Sequence, residues 1–130
     1  MDTDTTDTST TVAHLMVEAG ICGFMCTVKA RRSGKQTVTV AIEGSECRQV
    51  KRLARSLTEM RLRDLFSPLT RNPVYIAAEK AGCHPSCAIP AAVLKAVEVA
   101  MGMALPKDVR IKFQTEKEGK VDNEPSQCHS

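Results

Sequence analysis

The sequence predicts an α+β domain: a small, mostly antiparallel sheet, made of a β-hairpin and a C-terminal strand, packed against about three helices. Three observations predict it. One stretch of Val, Thr and Ile alternates with polar residues around a glycine turn. Three later stretches carry apolar residues at helical spacing or helix-ending signals. A last short stretch returns to alternation. Strands that come together and helices that follow as a block favour α+β over an alternating parallel architecture.

The hairpin is "FMCTVKARRSGKQTVTVAIE", residues 24–43, with "RRSGK" as its turn. Period-two alternation sets Cys26, Val28 and Ala30 on one face and Val38, Val40 and Ile42 on one face of the return strand. Upstream, "VAHLMVEA" reads either as a short strand over about 13–18 or as a helical turn. The first helix is "SECRQVKRLARSLTEM", 45–60, where Cys47, Val50, Leu53, Ala54, Leu57 and Met60 recur on one face. Ser45 suits its N-cap, and Glu46 suits the positive end of the helix dipole. The second helix is 72–82, with Asn72 as cap, Pro73 at the first helical position and Gly82 as stop. The third, 89–105, bears only Lys95 and Glu98 as charges and therefore reads as the buried central helix. After Pro106, Val109, Ile111 and Phe113 share one face of an expected strand over 108–113.

One domain is expected over 12–114. Residues 1–11 and 115–130 are polar and acidic with little to bury, and read as disordered tails. Residues 20–113 carry sixteen Lys and Arg against seven acids, so a basic body lies between acidic ends. No stretch approaches the roughly 20 apolar residues of a membrane span. The polar start lacks the basic and apolar regions of a secretory signal. The expected location is therefore the cytoplasm, with no membrane partner.

Six cysteines in a reducing compartment point to metal binding or thiol chemistry more than to structural disulfides. Their placement sharpens this. Cys22 precedes the hairpin, Cys47 falls in the first turn of a helix, and Cys87 stands at the start of the central helix. Helix N-termini favour thiolates, which both metals and redox chemistry require. In "AGCHPSCAIP" (81–90) an imidazole joins two thiols. A tetrahedral Cys₃His set of Cys22, Cys47, His84 and Cys87 is a recognised zinc arrangement. An iron–sulfur cluster on the same thiols, with His84 or Cys83 as fourth ligand, is also open. The spacing is C-x₃-C and not the paired C-x₂-C of familiar zinc fingers.

Plainer readings stand beside these. Cys26 alternates with Val28 and reads as core; Cys47 continues an apolar stripe, so packing and ligation both fit. His84 can serve the turn alone, and His14 reads as packed or half-exposed. Cys83 and Cys87 are close enough in sequence for a reversible disulfide. Cys128 and His129 lie in the polar tail and read as spectators. Lys95 and Glu98, one turn apart on an apolar helix, read as an ion pair, or as a carboxyl made a general acid by burial. The stripe Arg48, Lys51, Arg52 and Arg55 reads as a solvated face; nucleic-acid binding is the weaker reading, since aromatic stacking platforms are lacking. An unidentified protein partner and a homodimer both fit the sequence. No phosphate-loop, dinucleotide or zinc-protease motif names a reaction.

The segments "AGICGF", "IEGSEC", "NPVYIAAEKAGCHPSCAIP" and "KAVEVAMGMALPKDVRI" together resemble a family of small uncharacterised Cys-containing proteins of methanogenic archaea and anaerobic bacteria. The likeness covers about residues 18–113. It implies that the C-G-F, S-x-C and H-x-x-C elements belong together, which here are Cys22, Cys47, His84 and Cys87. Cys26 and Cys83 fall outside that pattern. An anaerobic setting would suit an oxygen-sensitive thiol or cluster. Three functions follow for test: a zinc or iron–sulfur protein; a metal-free thiol redox protein using Cys47 or Cys87 with Cys83 or Cys22 as resolving thiol; and, more weakly, a nucleic-acid-binding module.

Overall fold

A computed structural model describes residues 12–18 and 24–115. The two expected tails up to residue 11 and from 116 onward, and with them Cys128 and His129, lie outside the described residues, as does Cys22. The elements run β1 (Val12–Glu18), β2 (Met25–Arg32), β3 (Thr37–Glu43), α1 (Arg48–Ser56), β4 (Glu59–Arg61), α2 (Pro73–Ala81) and α3 (Ile89–Ala100), with 3₁₀ turns at Leu62–Phe66 and Leu69–Arg71. The strands form one antiparallel sheet in the order β1-β2-β3-β4. The α+β class, the antiparallel sheet and the three helices are as expected.

The strand alternation has a direct packing consequence. Val28 stands opposite Leu15 on one side and Ile42 on the other, and Ala30 stands between Ala13 and Val40. Cys26, Val28, Ala30, Val38, Val40 and Ile42 are all buried, so one face of β2 and β3 is core throughout. The segment 12–18 is therefore a strand, because only an extended chain can put Ala13, Leu15 and Val17 on that same face. Gly34 leaves room in the hairpin turn for the Thr37 hydroxyl. A Cβ there would stand 2.6 Å from Thr37 Oγ1. Arg32 closes the turn by donating to the carbonyls of Gly34 and Lys35 at 3.2 and 2.8 Å.

Helix α3 lies across β1 and β2, and α1 packs on β3 and against α2. Val93, Ala96, Val97 and Ala100 of α3 are completely buried, consistent with its role as central helix.

Three boundaries differ from expectation. The first helix begins after Cys47 and ends at Ser56, short of residue 60. Residues 59–61 instead form β4, where Met60 pairs with Val38. Leu57 and Met60 are three apart and both buried, so a helix end and a short strand leave the same apolar trace. The central helix stops at Ala100, just before Gly102 adopts φ 76°. The C-terminal strand expected over 108–113 is not in the sheet. Residues 105–115 are exposed and without regular structure, and β1 and β4 are the strands that flank the hairpin in the sheet.

Asn72 is buried at 4% exposure, and it organises the start of α2. Its Oδ1 accepts from Val74 N–H at 3.0 Å, while Nδ2 donates to the Asp64 carbonyl at 2.9 Å. The first bond caps the helix, and the second ties it to the preceding 3₁₀ turn. Asn72→Ala is expected to cost about 1–3 kcal/mol, because it removes a cap and leaves a polar group unpaired. Urea unfolding monitored by circular dichroism reads this as a lower midpoint with an unchanged slope.

Candidate thiol-lined site

The loop holding "CHPSC" is positioned by the end of α2. Gly82 takes φ 82°, the left-handed region that favours glycine, and its N–H donates to Glu79 O at 3.0 Å. Cys83 N–H then reaches back to Ala78 O at 2.9 Å. These two bonds form a Schellman-type ending, which reverses the chain at a fixed angle. Cys87 N–H donates to His84 O at 3.0 Å, so residues 84–87 make a tight turn.

A separate contact joins this loop to α1. Arg52 Nη1 donates to the carbonyl of Ala81 at 3.2 Å, so the guanidinium serves a carbonyl that the end of α2 leaves free. Cys47 stands at the N-cap of α1 with its N–H bonded to Ser45 Oγ at 3.0 Å. Ser45, expected to cap the helix, thus supports the capping residue. The Cys47 thiol donates to Gln49 Oε1 at 3.3 Å.

One cavity of about 170 Å³ results, where the start of β2, the start of α1 and the α2–α3 loop meet. Cys26, Cys47, Cys83, Cys87 and His84 all line it, with Phe24, Val50 and Ile89 among the apolar neighbours. Cys26 is buried; Cys47, Cys83 and Cys87 are half-buried, and His84 is exposed. A more open basin adjoins it, lined by Phe24, Glu46, Cys47, Arg48, Gln49 and Arg52. All four described thiols are free.

The expected set is thus brought together in part. Cys47, His84 and Cys87 share the cavity, and Cys22 lies outside the described residues. Cys26 and Cys83, which the resemblance left aside, also face it. Cys26 is a core residue as expected, but it stands near the end of β2 that meets the loop. Its sequence signal was ambiguous, since a strand end can serve the core and a cavity at once. Cys83 carried a signal in its position directly after a helix-ending glycine.

Burial pushes the Cys26 thiol above its ordinary pKa, and the nearby Cys87 and Cys47 push it further. Cys83 is raised by the same causes in the same order. Gathered thiols resist becoming gathered anions. In the reduced, metal-free protein both residues are expected to alkylate more slowly at mildly alkaline pH than a free thiol. The raised folded-state pKa also has a stability consequence. Its contribution is fully present below the unfolded value of about 8.5 and is lost as pH rises through the higher folded value. Urea midpoints of the metal-free protein should therefore fall on passing from neutral to strongly alkaline pH, and less so in a Cys26→Ala variant.

Other candidates separate from the site. Lys95 is exposed, Glu98 is half-buried, and no ion pair joins them. Arg48, Lys51, Arg52 and Arg55 are exposed. Two of the four have local partners: Lys51 lies 3.9 Å from Glu46, and Arg52 holds Ala81. His14 is exposed on the outer face of β1. Among the described residues no three His, Cys, Asp or Glu side chains are grouped to hold one metal ion. No helix among them is long and apolar enough to cross a membrane.

The fold and the cavity together define a small α+β protein whose thiols gather where three elements meet. The chain belongs to the Family of unknown function (DUF6951), which matches residues 13–113. No curated protein and no solved structure matches it.

Proposed function

We propose that this protein binds a thiolate-held metal centre in the cavity, an iron–sulfur cluster or zinc. Cys22, Cys47 and Cys87 would be ligands, with His84 or Cys83 completing the set. The observation that carries the reading is convergence: Cys47 at the start of α1 and Cys83, His84 and Cys87 of the α2–α3 loop line one cavity, with Cys26 beside them. Such a donor set fits soft, thiophilic metals.

Thiolates with an imidazole suit zinc in a Cys₃His set and suit an iron–sulfur cluster equally by donor chemistry. When bound, a cluster supplies one-electron transfer. The protein's own part is to hold the thiolates, and to limit water with Phe24, Val50 and Ile89. A cytoplasmic, reducing location would keep those thiols free to bind.

The test is metal and acid-labile sulfide analysis of the full chain purified without oxygen, together with its visible spectrum. Iron and sulfide in equal amounts, with absorption bleached by a reductant, support the cluster. Zinc in their place supports the zinc centre. A folded protein that holds neither, even after reconstitution with iron and sulfide or with zinc, overturns the reading.

A further inference from the structure

The segment after α3 presents an unusual surface. Leu105 is 80% exposed, Ile111 88% and Phe113 102%, and Val109 is exposed on the same alternating face. Residues 107–113 alternate like a strand, yet they belong to no sheet. Apolar side chains in that pattern, left in water by their own chain, mark an interaction surface.

The same chain offers a matching acceptor. Among the described residues β1 has a single neighbour, β2, and none of them pairs with its other edge. Exposed edges readily pair with a strand from elsewhere. The core face of the sheet is also incomplete there. Its residues on β2 and β3 are buried, whereas Leu15 and Val17 on β1 are only half-buried. One further strand with apolar residues on that face would cover them. The lengths agree: β1 has seven residues, and 107–113 has seven. The charges agree as well. The acceptor strand β1 carries Glu18 and no Lys or Arg, while 107–113 carry Lys107, Arg110 and Lys112 against Asp108.

We propose that residues 107–113 add as a strand to the β1 edge of a second copy of this chain. Donor and acceptor lie on one molecule, so each copy gives a strand and receives one. Two such exchanges close as a two-fold dimer with no strand left over. Val109, Ile111 and Phe113 would then lie over Leu15 and Val17 of the other copy. This inference is independent of the metal centre, since neither segment lines the cavity.

Sedimentation velocity of the full chain across the micromolar range tests it. The expected species has twice the 14.1 kDa chain mass. The double variant Ile111→Lys with Phe113→Lys should weaken dimerisation by roughly 100-fold or more, because each dimer loses four buried apolar side chains. The variant should stay folded, keeping the parent's helical circular dichroism, as both positions are exposed within the chain. Hydrogen exchange should show residues 109–113 and 13–17 protected in the dimer and 109–113 unprotected in the variant. A parent chain that is monomeric throughout overturns the proposal, even if 109–113 are protected, since that strand would then be folded on its own sheet. A dimer that persists in the double variant also overturns it, and points to another interface.

Discussion

Cys87→Ser is expected to remove most of the bound metal from anaerobically prepared protein, by roughly tenfold or more, while leaving the fold intact. Loss of a direct ligand should cost at least as much as the 10–100-fold typical of supporting residues around a metal. The fold should survive because Cys87 is half-buried in a loop, and that loop is fixed by the Gly82 reversal and the Arg52 contact with Ala81. Cys47→Ser should behave alike, since serine retains a polar group at the N-cap. A matched Cys128→Ser variant serves as the control, expected to keep full metal content. Iron and zinc analysis with a visible spectrum reads all three. Equal metal in the Cys47, Cys87 and control variants would refute the assignment of ligands. Cys26→Ala and Cys83→Ser extend the test to the two thiols outside the recognised pattern.

The second large effect concerns stability. Leu53 is completely buried on α1, between α2 and the sheet. Leu53→Ala is expected to cost about 2–5 kcal/mol, from lost apolar transfer and from the cavity that incomplete relaxation leaves behind. Against a typical total of about 5–15 kcal/mol that is a large share. Urea midpoints should fall sharply, while Arg55→Ala, an exposed position on the same helix, should change stability by no more than about 0.5 kcal/mol. Leu53 is also the anchor of the helix that presents Cys47. Metal retention should therefore weaken in Leu53→Ala in step with partial unfolding, whereas Cys87→Ser separates metal loss from stability.

The sequence made the hairpin legible because its alternation runs through both strands and a glycine turn. It made α2 legible because Asn72, Pro73 and Gly82 mark both ends with distinct physics. The end of α1 was not legible. Leu57 and Met60 continue a helical rhythm, and only tertiary pairing of Met60 with Val38 shows that the chain has already become extended. Residues 108–113 misled for a complementary reason. Their alternation identifies a strand-forming segment but says nothing of which sheet receives it. At the site, the grouping of Cys47, His84 and Cys87 was suggested by their places at element ends, and all three line the cavity. The contribution of Cys26 was hidden, because burial in a core and exposure to a small cavity impose the same small apolar residue type. That Arg52 joins the two helices was also unreadable, since one arginine among four in a basic stripe carries no mark of its partner.

The shared repression of ionisation at Cys26 and Cys83 reaches beyond the cavity itself. Were the proposed centre to draw on Cys83, loading would release that thiol's proton, so uptake would acidify the solution and acid would drive the metal out.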